Sequence, residues 1–183
     1  MNFHAPPESA HPLVRLRALT RADVQAWFDY LSLPEVHQHT SWDVHSVEEL
    51  QTYVDVNAQA APSSPVRFAI ALRGSDELVG TAGFHTVSAL NRSAEIAYDI
   101  APDWWGRGIA SAVCAELTGW AFAHVGLVRV QATALESNAR SIGVLQRCGF
   151  EVEGLLRSYR MVRGQSGNFW MYAKLSPVPA SAG

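Results

Sequence analysis

The stretch that most constrains this chain is residues 94–110, AEIAYDIAPDWWGRGIA. Ile96, Tyr98 and Ile100 alternate with Glu95, Ala97 and Asp99, the period-two pattern of a strand with one apolar and one polar face. Pro102, which has no N–H to give a ladder, ends it. Gly106 and Gly108 then bracket Arg107 and lead into residues 109–125, where apolar residues recur at helical spacing. A strand, a glycine turn and a helix start in that order can cradle an anion such as pyrophosphate, because the backbone turns tightly and free amides point outward along the helix dipole. The same glycines also suit a bare strand-to-helix turn, and spacing does not separate the two readings. A dinucleotide fingerprint is not met, since Ser111 stands where its third glycine would be and no acidic strand end follows about 20 residues on.

At 183 residues the chain is expected to form one domain with its own core. A net charge of −3 predicts no general affinity for nucleic acid or anionic membrane. The start, MNFHAPPESAHP, has no basic or apolar leader region, and no apolar run approaches the roughly 20 residues of a membrane span, so a cytoplasmic protein is expected. Cys114 and Cys148 fall in predicted helices without C-x-x-C spacing and read as buried free thiols rather than catalytic ones. His37, His39 and His45 cluster, but no cysteine joins them at ligand spacing, so a loop or substrate-facing wall is expected there and no metal.

Residues 1–12 are expected to be flexible, 13–175 to form the domain and 176–183 to be a flexible Pro/Ala/Ser tail. Residues 13–19 alternate as a strand, and Thr20 with Asp23 opens a helix carrying Val24, Trp27, Phe28 and Leu31, which Pro34 is expected to close. After a connection at 35–45, Ser46 and Glu49 form a capping box for a second helix ending near 61–62. Residues 67–72 and 77–88 read as a hairpin leading into the opening strand at 94–101. Past the 109–125 helix and its stop at Gly126, residues 127–134 form a strand reached by a crossover helix, hence parallel to 94–101. A short helix at 138–148 ends at Gly149, and a last hairpin of 150–162 and 169–175 is joined through 163–167. The fold class is α/β (α+β): one mixed, mostly antiparallel seven-stranded sheet flanked by about four helices.

This order of elements resembles the GNAT N-acetyltransferase superfamily. The segment Trp105-Gly106-Arg107-Gly108-Ile109-Ala110 is similar to its Q/R-x-x-G-x-G/A signature, with Trp105 where Gln or Arg is usual. Asn138-x-x-Ser141, followed by Cys148-Gly149-Phe150, resembles the RimJ/RimL-like ribosomal-protein acetyltransferase branch, and the likeness covers about residues 13–175. The resemblance implies acetyl-CoA as cosubstrate and a sheet splayed at its central parallel pair. It places the pyrophosphate on amides of Trp105, Gly106, Arg107, Gly108, Ile109 and Ala110, and the pantetheine arm between the parallel strands past Ile100. Arg107 and Arg140 are either phosphate contacts or solvated arginines.

A protonated amine must lose a proton before it attacks, and Glu95 on the polar face of the opening strand is the first candidate base, with Asp99 and Glu136 in reserve. Glu95 reads equally as an exposed strand carboxylate. By resemblance Ser141 protonates the leaving thiolate, while Asn138 positions it, binds pantetheine or simply caps the helix. His39, Trp42, His85, Tyr98 and Tyr159 are candidate acceptor-wall residues or ordinary packing, and His85 or Tyr98 could join a proton relay. The implied function is acetyl transfer to a primary amine in a ternary complex, at a protein or peptide N-terminus. A small-molecule amine is the alternative, and a non-catalytic acyl-CoA sensor a third reading. The expected assembly is a monomer or homodimer, with no nucleic-acid, membrane or metal partner.

Overall fold

The computed structural model describes residues 5–58 and 64–177; the expected end of the second helix near 61–62 and residues 178–183 of the expected tail lie outside these. In chain order the elements are β1 (Val14–Ala18), α1 (Val24–Leu31), α2 (Pro34–His37), α3 (Val47–Ala58), β2 (Val66–Leu72), β3 (Leu78–Ser88) and β4 (Ser93–Ile100). There follow α4 (Ile109–Trp120), β5 (Arg129–Leu135), α5 (Ala139–Arg147), β6 (Glu151–Val162) and β7 (Gln165–Leu175). The seven strands form one sheet in the order β1-β2-β3-β4-β5-β7-β6. Every neighbouring pair is antiparallel except β4 and β5, which the α4 crossover makes parallel.

Alternation decides which face each strand residue meets. Ala94, Ile96 and Ile100 of β4 and Val130, Ala132 and Ala134 of β5 are buried against Val113, Cys114 and Leu117 of α4 and Leu145 of α5. A second apolar cluster joins Trp27, Tyr30 and Leu31 of α1 and Leu50 and Val54 of α3 to Ala69 and Leu78 of the sheet. Burying each such side chain is worth about 1.5–3 kcal/mol, so the two clusters fix α4 and α1–α3 to the sheet. Cys114 and Cys148 are buried free thiols. No helix of the described residues is long and apolar enough to cross a membrane.

Among the described residues five α-helices flank the sheet, one more than the sequence pattern suggests, and the extra one begins at Pro34. Proline lacks only an N–H that the first helical turn leaves unused, so at this first position it opens a helix instead of closing one. Gln25, Trp27 and their neighbours begin as expected: Thr20 N–H and Oγ1–H both reach Asp23 Oδ2, at 2.8 and 2.9 Å. The last hairpin is tighter than expected. β6 and β7 are joined by Arg163 and Gly164 alone, with φ of 52° and 75°, the two left-handed residues of a tight hairpin turn.

Two register shifts bear on the site. Phe84 faces Ile96 and Thr86 faces Glu95, so His85 is an extra, bulged residue of β3. In β6, Leu156 faces Phe169 and Arg160 faces Gly167, which puts residues 157–159 into a second bulge around Ser158, φ 51°. Bulges re-aim side chains; the first carries His85 and the second precedes Arg160, and both residues line the cavity. At the chain start, Ala10 N–H donates to Glu116 Oε1 of α4 at 2.7 Å, Arg73 donates to the carbonyls of Ser9 and His11, and His11 Nε2 lies 3.0 Å from the carbonyl of Arg107.

Gly83 is where β2 and β3 come closest: a methyl group there would sit 1.9 Å from the Val66 carbonyl oxygen and 2.7 Å from Arg67 Cα. Gly83→Ala is therefore expected to lower stability by about 1–3 kcal/mol, read as a fall in the urea midpoint with an unchanged slope.

Candidate active site

β4 and β5 pair over three residues only: Ser93 with Arg129, Ala94 with Val130, Glu95 with Gln131. Beyond that the strands part. β4 stays bonded to β3 as far as Ile100, and β5 stays bonded to β7 as far as Leu135. Each strand keeps its outer ladder while the backbone groups turned toward the gap are left to find other partners. The gap opens into a cavity of ≈ 880 Å³ lined from β4 by Ile96 to Ile100 and from β5 by Ala132 to Leu135.

The glycine turn forms one end. Trp105 lies back on the end of β4, donating Nε1–H to the Ile100 carbonyl at 2.7 Å, a role that accounts for an aromatic residue at this place. Gly106 and Gly108 have φ of 74° and 79°, and a methyl group on either would meet no atom within 4 Å. Glycine is required there by backbone conformation, and the space above the turn is open. The first hydrogen bond of α4 runs from Ala112 N–H to the Gly108 carbonyl, so the amides of residues 108–111 precede the helical ladder. Arg107, Arg140 and Arg147 line the same end. The Arg140 guanidinium sits 4.1 Å from the Trp105 ring centre and that of Arg107 4.7 Å from Trp104. Free amides, a helix dipole and three guanidinium groups fit a phosphate-bearing ligand.

On the α5 side of the sheet Asn138 is a true cap, its Oδ1 accepting from Ser141 N–H at 3.1 Å. The cap sets Ser141 Oγ 3.1 Å from the hydroxyl of Tyr98. Burial, with Cys114 adding to it, pushes the Tyr98 phenol far above its usual range, so it stays a protonated donor.

Glu95 lies on the opposite face and is 4% exposed. Its Oε1 accepts from Thr133 Oγ1–H at 2.7 Å and Arg160 Nη2–H at 3.2 Å, and lies 3.3 Å from His85 Nε2. Burial alone would raise this carboxyl; the hydrogen bonds from His85 and Thr133 and the charges of His85 and Arg160 outweigh it and bring it down to about 2. Asp99 accepts from Tyr30, Arg67 and Thr81, and the Arg67 guanidinium lies 5.4 and 5.6 Å from the ring centres of Trp27 and Trp42.

Of the residues singled out from sequence, the cavity wall brings together His39, Trp42, His85, Tyr98, Ile100, Trp105, Gly106, Arg107, Gly108, Ile109, Ala110, Asn138, Arg140 and Ser141. Glu95 is not in that wall; it stands behind His85, Thr133 and Arg160, which are. Tyr159 is 43% exposed, packs edge-on against Phe169 and is likewise outside the wall, as is Glu136, which accepts from Asn168. Arg67, Thr133, Arg147, Arg160 and Phe169 line the cavity without having been singled out.

The acetyltransferase (GNAT) domain matches residues 14–151 of this chain. The chain belongs to the GNAT acetyltransferase family and is an N-acetyltransferase. It is 32% identical over 164 residues to the uncharacterized N-acetyltransferase YoaA of Bacillus subtilis, covering 88% of this chain and 93% of the relative. Spermidine N(1)-acetyltransferase of Escherichia coli is 25% identical over 175 residues, 87% of this chain and 84% of that one. Among solved structures, RimJ of Mycobacterium smegmatis in complex with CoA-disulfide superposes with a TM-score of 0.82 at 28% identity, over 97% of this chain and 89% of that one.

Because Glu95 is held at about 2 in the folded chain against 4.5 unperturbed, its stabilising contribution is complete above about pH 4.5 and drains away as pH falls toward 2. Glu95→Gln is expected to flatten the dependence of the urea midpoint on pH across that window, a change of slope that holds whatever the variant's overall stability.

Proposed function

We propose that the protein transfers an acetyl group from acetyl-CoA to a primary amine by direct transfer in a ternary complex. The observation behind this reading is the parting of β4 and β5 between a phosphate-compatible glycine turn and the pair of His85 with the buried Glu95. Acetyl-CoA supplies an activated thioester. Amides of residues 105–110 with Arg107, Arg140 and Arg147 hold its phosphates, and the unladdered edges of β4 and β5 offer N–H and C=O groups to the pantetheine amides. Among the described residues two histidines line this cavity, His39 and His85, and of the two His85 is the one that faces Glu95. A carboxyl held near 2 stays ionised and is a weak proton acceptor, so Glu95 acts as the group that orients His85 and stabilises its imidazolium. The amine gives its proton, through water, to His85; Nε2 faces Glu95, and Nδ1, the nitrogen that takes the proton, lies 3.0 Å from Thr86 Oγ1, whose hydroxyl turns from donor to acceptor as it does so. As the nitrogen–carbon bond forms and the carbon–sulfur bond breaks, Tyr98 with Ser141 gives a proton to the thiolate sulfur, and the second proton leaving the nitrogen, carried by water, restores the hydroxyl pair.

Relatives divide the acceptor: the putative ribosomal N-acetyltransferase YdaF of Bacillus subtilis is 37% identical over 98 residues, 54% of each chain, while the Escherichia coli relative is a spermidine acetyltransferase. A polyamine asks for a wall of unspent carboxylates. Of the carboxylates on or just behind this wall Glu95 and Asp99 are already engaged by Arg160 and Arg67, which leaves, among the described residues, Glu35 of α2 as a single cavity-lining carboxylate outside these pairs rather than a wall of them. The charge balance favours an amine on a neutral or anionic acceptor, met in the cytoplasm where acetyl-CoA is made.

Thiol release from acetyl-CoA over pooled acceptors tests the reading, and tight binding with no release in any pool would overturn it in favour of a sensor. Ser141→Ala and His85→Gln are each expected to lower kcat roughly 100-fold or more at an unchanged KM for acetyl-CoA. Gly108→Ala is expected to do the reverse, raising that KM through a strained turn with little effect on kcat.

A further inference from the structure

We infer that the acceptor is a free α-amino acid whose carboxylate is bound by Arg160. The inference rests on the acetyltransferase reading and names the substrate class of that same site.

Arg160 is placed with care. The bulge at residues 157–159 turns it inward, and its guanidinium lies against the rings of Tyr159 and Phe169, 4.8 and 5.7 Å from their centres. Its side chain is 32% exposed and lines the cavity. Among the described residues it donates one hydrogen bond, from Nη2 to Glu95 Oε1. A guanidinium has five N–H donors in a planar fork, so the rest of the fork is available to a ligand in the cavity.

The second point is distance. His85 Nε2 and Arg160 Nη2 converge on the same oxygen, Glu95 Oε1, at 3.3 and 3.2 Å. They cannot be farther apart than those two contacts laid end to end. In an α-amino acid two covalent bonds, about 2.5 Å in all, separate the amine nitrogen from the carboxylate carbon. With Glu95 Oε1 between them His85 and Arg160 are neighbours, so one such molecule can set its carboxylate on the Arg160 fork while its amine, through the bridging water, gives its proton to the His85 ring. The charge balance agrees: one carboxylate, Glu95, faces the permanent cation of Arg160 and the imidazolium that forms at His85, which leaves the cluster able to accept an anion. A neutral peptide carbonyl would take only a weaker bond from the same fork.

The third point is access. Residues 39–42, between α2 and α3, form the wall facing this region. His37 and Asp43, on either side of that segment, are both tied to Arg163 at the tip of the β6–β7 hairpin. Arg163 Nε donates to His37 Nδ1 at 2.8 Å, Nη2 donates to the His37 carbonyl, and Nη1 lies 3.4 Å from Asp43. His37 Nε2 closes the ring at 2.9 Å from Asp43, and Trp42 is wedged against Trp27 and Tyr53. A strap pinned to the hairpin at both ends suits a small acceptor better than a protein terminus.

The test is a matched series in the thiol-release assay: L-amino acids, their α-amides, tripeptides beginning with the same residue, and the decarboxylated amines. The expected result is that kcat/KM for the best amino acid exceeds that for its amide, tripeptide and amine by roughly tenfold or more, the difference lying in KM. Arg160→Gln is expected to collapse that ratio and Arg160→Lys to restore part of it. Arg129→Gln, which breaks an exposed pair with Glu153 outside the cavity, should leave it intact. Amide, tripeptide or amine used as well as the amino acid, or an Arg160→Gln variant that slows every acceptor equally, would overturn the inference while the transferase stands. No thiol release above background with any acceptor would bring down the acetyltransferase reading itself.

Discussion

The structure depends on one event in the sheet, the separation of β4 from β5 after three paired residues. Glu95 is the last β4 residue in that ladder, and Thr133, two residues past its β5 partner Gln131, still reaches back to it with a 2.7 Å hydrogen bond. The seam is thus closed by a side chain where the backbone no longer can. A buried carboxylate is a costly fastening unless its oxygens are satisfied, and three donors from three other strands meet it. The group that permits the strands to part is therefore also the group that draws His85 and Arg160 together.

Charge is distributed unevenly about the cavity. At the glycine turn three arginines line the wall with no carboxylate among the cavity residues nearest them in sequence, and aromatic rings hold two of them in place. Across the sheet, arginine and carboxylate come in pairs, Arg67 with Asp99 and Arg160 with Glu95. One end attracts a polyanion; the other discriminates by where its hydrogen-bond donors point. Such a division suits an enzyme whose two substrates enter a single gap from opposite faces of the sheet.

What could be read beforehand were features written in local rules. Gly106 and Gly108 announce a turn because their backbone angles exclude other residues, and Asn138 announces a helix start because its side chain replaces a missing backbone partner. The parallel pair followed from a crossover helix between two strand patterns. Arg160, and the bulge that aims the candidate wall residue His85, were different. A bulge depends on the register between strands, which no single stretch encodes, and Arg160 meets Glu95 from 65 residues away. Glu95 was legible as a chemically important carboxylate, but the three partners that enclose it, and hence its separation from the cavity, arise only from tertiary packing. Pro34 shows the limit of a local rule: the same ring that ends one helix is equally fit to begin the next.

The contact between His11 and the Arg107 carbonyl gives the beginning of the chain an unexpected mechanical role. Leu13 N–H donates to Nδ1 of the same ring at 3.3 Å, so the imidazole is gripped on both sides, and Ala10 is anchored to α4 at the next turn. The segment ahead of β1 works as a splint across the phosphate-compatible turn. A label carried on residues 9–11 would load that splint, so attachment there and attachment to an exposed loop such as that at Leu90 are not equivalent choices for anyone immobilising or labelling the enzyme.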